Sequence, residues 1–139
     1  MIDYSLLADA AGRVIQVPII RSYPWPAGGR TFTLRLIRDD GWTEGVEDAW
    51  TWRLQFDDRM VGGAALVTAV ASAAIISGPA AQYLDLSFAL TAGETADLAG
   101  AGRTAVLVDL ESEDAQHNKS IWPEAHGRVS VRSAVGGGL

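Results

Sequence analysis

Residues 88–111 constrain the fold more than any other part of the chain. This stretch closes one apolar alternation, places a short capped helix, ends the helix on glycines and opens a second apolar run. Thr91 is a good N-cap and Glu94 stands three residues on. That is the spacing of a capping box, in which each side chain satisfies a backbone N–H at the helix start. Leu90 before the cap, with Ala96 or Leu98 beyond it, closes the turn on its apolar side, and Gly100 and Gly102 stop the helix. Residues 104–111 are β-rich in composition, with Val106, Val108 and Leu110 on one face. The spacing predicts a helix over about 91–99 as the crossover between two core strands.

The rest of the chain is read against that crossover. Residues 1–12 show no clean period and form an N-terminal arm. Arg13–Ile20 is a strand candidate, and Pro18 inside it cannot donate to a ladder, which places it at a sheet edge. Residues 22–29 hold two prolines and two glycines and read as a turn. In residues 30–38, Phe32, Leu34 and Leu36 alternate with Thr31, Thr33 and Arg35, a half-buried strand. Residues 49–57 alternate likewise, with Trp50, Trp52, Leu54 and Phe56 on the apolar face. Two tryptophans so close on one strand bury a large area and mark a central core strand. Residues 64–76 are a small-residue run, read as two short strands or one bent one. Residues 83–90 put Leu84, Leu86, Phe88 and Leu90 inward and Asp85 and Ser87 outward. Residues 112–125 read as a polar loop containing Trp122 and Pro123, and residues 127–132 as a last strand. The expectation is an all-β protein, a two-sheet antiparallel β-sandwich of seven or eight strands with one short helix. A small closed barrel uses the same strands. The domain spans 13–133 and a glycine-rich tail occupies 134–139.

Composition narrows the function. A chain of 139 residues that is 48% hydrophobic is large enough for one core. Its net charge of −6 is repelled by phosphate backbones, so no nucleic-acid partner is expected. The absence of cysteine excludes disulfides, thiolate catalysis and cysteine-ligated zinc. The first residues lack a basic start followed by an apolar run, and residues 64–76 are too short to span a bilayer, so neither a signal peptide nor a membrane partner is expected.

The candidate sites all have plain alternatives. His117 and His126, with Asp114 or Glu124 as a third ligand, match no usual metal spacing and read as solvated loop histidines. Asp39, Asp40, Glu44, Glu47 and Asp48 lack the EF-hand order and read as a solvated acidic loop. Asp57, Asp58 and Arg59 sit at a strand end, where neighbouring carboxylates diverge rather than serve as a hydrolytic pair. No nucleophile elbow or phosphate-cradling motif stands out, so no enzyme, metal or cofactor is expected. Trp25, Trp42 and Trp122 fall in expected loops. They are candidate interface residues, with sugar stacking as an alternative and a lid over the core as the plain reading.

Five stretches together resemble a known family. They are Thr31-Phe-Thr-Leu-Arg-Leu36, Trp50-Thr-Trp-Arg-Leu54, Leu90-Thr-Ala-Gly-Glu-Thr-Ala-Asp-Leu98, Val106-Leu-Val-Asp-Leu110 and Gly127-Arg-Val-Ser-Val131. The pattern is similar to the immunoglobulin-like sandwich domain of tailed bacteriophages related to the N-terminal module of baseplate upper proteins. The capped helical insert is its distinctive part; residues 64–76 are richer in alanine than the family pattern. The resemblance implies an immunoglobulin-like fold and a non-enzymatic virion component assembled in the host cytoplasm, such as a tail, baseplate or fibre adaptor. Its partners would be other virion proteins and copies of itself, with the two terminal arms as docking elements. The alternatives are a capsid decoration or neck protein of the same fold, or a carbohydrate- or receptor-binding module reaching a host-surface glycan through its loop tryptophans.

Overall fold

The structure, a computed structural model, describes residues 2–3, 13–26, 28, 30–58 and 65–134. The described residues form an all-β sandwich of two sheets and one helix. The strands are β1 (Ile2–Asp3), β2 (Arg13–Ile20), β3 (Phe32–Ile37), β4 (Thr51–Asp57), β5 (Val67–Val70), β6 (Ala73–Ser77), β7 (Tyr83–Phe88), β8 (Ala105–Glu113) and β9 (Lys119–Arg132). The helix is α1 (Ala92–Leu98). One sheet has the order β1-β3-β7-β6, the other β2-β9-β8-β4-β5. Most pairings are antiparallel, whereas β1 runs parallel to β3 and β2 parallel to β9. The count thus exceeds the expected seven or eight because the two-residue β1, from the expected arm, joins a sheet. The remainder of the arm, residues 1 and 4–12, and residues 135–139 of the tail lie outside the described residues.

Period two explains the core. Phe32, Leu34 and Leu36 of β3 face Phe88, Leu86 and Leu84 of β7 in register, and all six are buried. The opposing sheet contributes Trp52, Leu54 and Phe56 from β4 and Val106, Val108 and Leu110 from β8. Each such side chain contributes about 1.5–3 kcal/mol on full burial. Thr33, expected to face outward, is also buried, in register with Asp3 of β1.

Residues 64–76 resolve into two strands in different sheets. β5 pairs with β4, and after Ala71 and Ser72 the chain continues as β6 against β7. Pro18 does lie on an edge strand, and the register of β2 against β9 shifts between Ile15 and Ile19, around that proline. The expected polar loop over 112–125 is corrected. β8 runs to Glu113, the reversal is confined to residues 114–118, and Trp122 and Pro123 lie within β9. Between the pairs Asp109↔His126 and Leu110↔Trp122, one step on β8 corresponds to four on β9, so residues 123–125 form a bulge. A proline fits there because a bulge leaves its position outside the ladder.

The crossover forms as its residues dictate. The Thr91 hydroxyl accepts from Glu94 N at 3.2 Å, and the Glu94 carboxylate accepts from Thr91 N at 2.8 Å. Leu98 is fully buried, and the Thr95 hydroxyl donates to the Tyr23 carbonyl at 2.8 Å, tying the helix to the turn after β2. The helix carries the chain from β7 in one sheet to β8 in the other. Thr91→Ala removes one side of the box and is expected to cost about 1 kcal/mol in urea denaturation, with the far-UV spectrum of the sheets unchanged.

Candidate functional site

Four of the five tryptophans gather at one end of the sandwich. Trp52 stacks on Trp50 at 5.9 Å between ring centroids and lies 5.4 Å from Trp122. Trp42 meets Trp52 edge-on at 6.5 Å and Trp122 at 5.8 Å. Such aromatic contacts add about 0.5–1.5 kcal/mol each beyond area burial. Three of the four carry satisfied polar atoms: the indole N–H groups of Trp42, Trp52 and Trp122 donate to the Gln82 carbonyl, the Glu47 carbonyl and the Ser112 hydroxyl. The fifth, Trp25, closes the other end, 5.1 Å from Phe32 and 5.8 Å from Phe56, and donates to the Val17 carbonyl.

Trp25 and Trp42 lie outside the strands, as expected, and cover the core as lids, the plain reading of their positions. Trp25 is 2% and Trp42 5% exposed, so neither ring offers a face to a protein or a sugar. Trp122 is a strand residue, half-buried against the core. The rings act as lids because a small sandwich leaves apolar side chains uncovered at both ends, and large indoles with one polar atom close such gaps.

The loop from residue 38 to 50 is likewise more than a solvated acidic loop. Glu47 is 8% exposed. Its carboxylate accepts from Thr43 N at 2.7 Å and pairs with Arg38 at 3.5 Å, while the Arg38 guanidinium lies 3.9 Å from the Trp42 ring centroid. Gly41 adopts φ +85°, and a β-carbon there would stand 2.6 Å from the Ala80 carbonyl oxygen. Trp42 N donates to the Ala81 carbonyl beside it. Gly41→Ala is therefore expected to lower stability by about 1–3 kcal/mol through strain and clash, read as a drop in melting temperature with weakened near-UV tryptophan signal.

Ionisable groups line the outer face of the five-stranded sheet. Arg53 of β4 bridges Glu111 at 3.0 Å and Glu113 at 2.8 Å on β8, and its guanidinium is held charged above its ordinary range, chiefly by the Glu113 bond. Glu113 is lowered below the usual carboxylate range, first by the hydrogen bond from His117 Nδ1 at 2.8 Å and then by Arg53. Asp114 is lowered chiefly by the backbone N–H of Asn118, which closes the β8–β9 turn. His126 is not a solvated loop residue: it sits on β9, largely buried, with Nδ1 2.6 Å from Asp109. His117 is 84% exposed in the turn. The two histidines thus serve separate pairs, His117 within the turn and His126 across β8 and β9, and the structure does not bring them together. Asp58 pairs with Arg103 at 3.0 Å, tying the end of β4 to the segment after α1, and its N–H is held by Asp57. Arg59 and the side chain of Glu124 lie outside the described residues. Among the described residues, no three His, Cys, Asp or Glu side chains gather as a metal site. No helix among them is long and apolar enough to cross a membrane.

Two of the surface hollows are lined by described residues. One, of about 250 Å³, lies between Asp48, Trp50 and the β5–β6 corner. The other, of about 370 Å³, is lined by Val17, Pro18, Ile20, Tyr23, Pro24 and Gly28. The surface that sequence reasoning passed over is a strand edge. β6 lies at the rim of its sheet and exposes Ile75. The signal was present: no Asp, Glu, Lys or Arg occurs from Met60 to Leu84, in a chain that is 20% charged.

No protein-family model matches the chain, and no curated protein or solved structure matches it.

Lowered carboxylate pKa values stabilise the folded state above the ordinary carboxylate pKa, about 4.3 for Glu, and this contribution disappears as pH falls through the lowered values. Glu113→Gln is accordingly expected to be less stable than the wild type at pH 7, with the gap closing in acid. Denaturant titrations from pH 7 to about pH 2 read this directly.

Proposed function

We propose that the protein is a non-enzymatic structural component of a bacteriophage particle, a tail, baseplate or fibre adaptor. It would be built on an immunoglobulin-like sandwich and act through protein–protein contacts in a multi-copy assembly. The observation that carries this reading is the capped helix between β7 and β8, joining the two sheets. This is the segment on which the resemblance to the phage sandwich domain chiefly rests. The charge-free stretch that supplies β5 and β6 supports it further, because exposed strand edges without charge favour pairing with another chain. The carbohydrate-module reading has less support, since two of its three tryptophan platforms are inside the core.

The test is the composition of purified particles. Mass spectrometry and immunogold labelling of virions from a host carrying the gene are expected to find the chain in several copies per particle. Its absence from purified virions, with the chain free in the lysate, overturns the proposal. Labelling at the head or neck, rather than the tail, would replace the adaptor role with a capsid decoration or neck role.

A further inference from the structure

Trp50 is the one tryptophan whose indole N–H has no partner among the described residues. The N–H groups of Trp25, Trp42, Trp52 and Trp122 all donate within the fold. Trp50 is half-buried and stacks on Trp52, and its backbone N donates to the Glu47 carbonyl at 3.2 Å, so its position is fixed. It walls the hollow of about 250 Å³ between the 47–49 turn and the corner that joins β5 to β6. Polar groups stand around the same hollow. Asp48 accepts from Gly45 N at 2.8 Å through Oδ1, which orients the carboxylate, and no cation pairs with it among the described residues. The Ser72 hydroxyl donates to the Ser87 carbonyl at 3.3 Å, and Ser72 N donates there at 2.8 Å, so the hydroxyl oxygen is left as an acceptor. Thr51 is exposed, and its hydroxyl can donate or accept. The Trp50 N–H can only donate.

We propose that this hollow binds a single neutral sugar ring, with the Trp50 indole against its C–H face and Asp48 accepting from its hydroxyls. Volume limits the ligand. Sites for drug-sized molecules measure about 300–1,000 Å³, so a hollow of about 250 Å³ takes one ring. The donor and acceptor set selects the chemistry. The indole N–H needs an acceptor, the carboxylate needs a donor, and a sugar hydroxyl is both. An ammonium ligand has no acceptor for Trp50. An anionic ligand is repelled by Asp48 and by the net charge of −6. An indole joins an apolar face to a polar edge, which matches a ring with C–H groups on one face and hydroxyls at its rim. Stacking on Trp52 holds one wall and the Ser72 bonds hold the other before any ligand arrives, so little ordering opposes binding. The site uses none of Trp25, Trp42 and Trp122, and it stands independently of the place of the chain in a particle.

Heteronuclear NMR of the full chain tests it, with glucose, galactose, mannose and N-acetylglucosamine as probes. At least one of them is expected to move the Trp50 indole N–H and the amides of residues 48–51 and 70–74. The shifts are expected to saturate with a Kd of about 1–10 mM, the range that about a dozen non-hydrogen atoms support. n-Butylammonium and glucuronate are expected to leave the same signals in place. Asp48→Ala removes the charged acceptor and is expected to weaken sugar binding about ten-fold or more. Trp50→Phe keeps a ring but loses the N–H, and is expected to weaken it about five-fold. Near-UV spectra check that both variants remain folded. Should either unfold, the wild-type shifts decide, because the signals of Tyr23 and Gly28 at the other hollow are expected to stay still. No saturable shift with any of the sugars, shifts spread over the whole surface, butylammonium binding in place of the sugars, or folded variants that bind as well as the wild type each overturn the proposal.

Discussion

Everything in this fold depends on two apolar faces meeting across the gap between the sheets. β3 and β7 supply Phe32, Leu34, Leu36, Leu84, Leu86 and Phe88; β4 and β8 supply Trp52, Leu54, Phe56, Val106, Val108 and Leu110. Neither face is stable against water alone, and neither sheet has a covalent staple, since the chain lacks cysteine. The remaining features follow from holding those faces together. Indoles at both ends exclude water from the gap. The loop with Glu47 and Arg38 clamps the Trp42 lid, and α1 carries the chain from one sheet to the other.

The outer surfaces follow a different logic. On the five-stranded sheet, Arg53 ties β4 to Glu111 and Glu113 of β8, and His117 pairs with Glu113 within the turn that follows. Such pairs contribute little individually, but they occupy the outer face of β4 and β8 with fixed polar geometry. On the four-stranded sheet, polar pairing stops at Arg35 and Asp85, and the next strand outward, β6, is uncharged.

Much of the architecture was legible in the residues. Clean alternation located β3, β4 and β7, and the Thr91–Glu94 box located α1 to within a residue at each end, because one-sided burial fixes the first and local hydrogen bonding the second. Pro18 marked an edge because a strand residue without a donor is confined to edges and bulges. The bulge within β9 was not legible: Pro123 is an equally good sign of a loop, and only pairing with β8 distinguishes the two. The burial of Trp25 and Trp42 was legible only as one of two readings, lid or interface, because an indole beside prolines or glycines in a turn fits both until the open ends of the sandwich are known. Glu47 was hidden for a related reason. Its carboxylate is held by contacts that exist only once the loop folds back, and composition alone assigns such a residue to solvent. The switch of residues 64–76 from one sheet to the other left a poor period, which is itself what a strand changing partners produces.

The central claim is that the two sheets are one cooperative unit sharing one core. Native-state hydrogen exchange tests it most directly. The account predicts that the slowest amides of β3 and β7 and those of β4 and β8 exchange with a common free energy, equal to that of global unfolding. Two distinct free energies, one for each sheet, would contradict it.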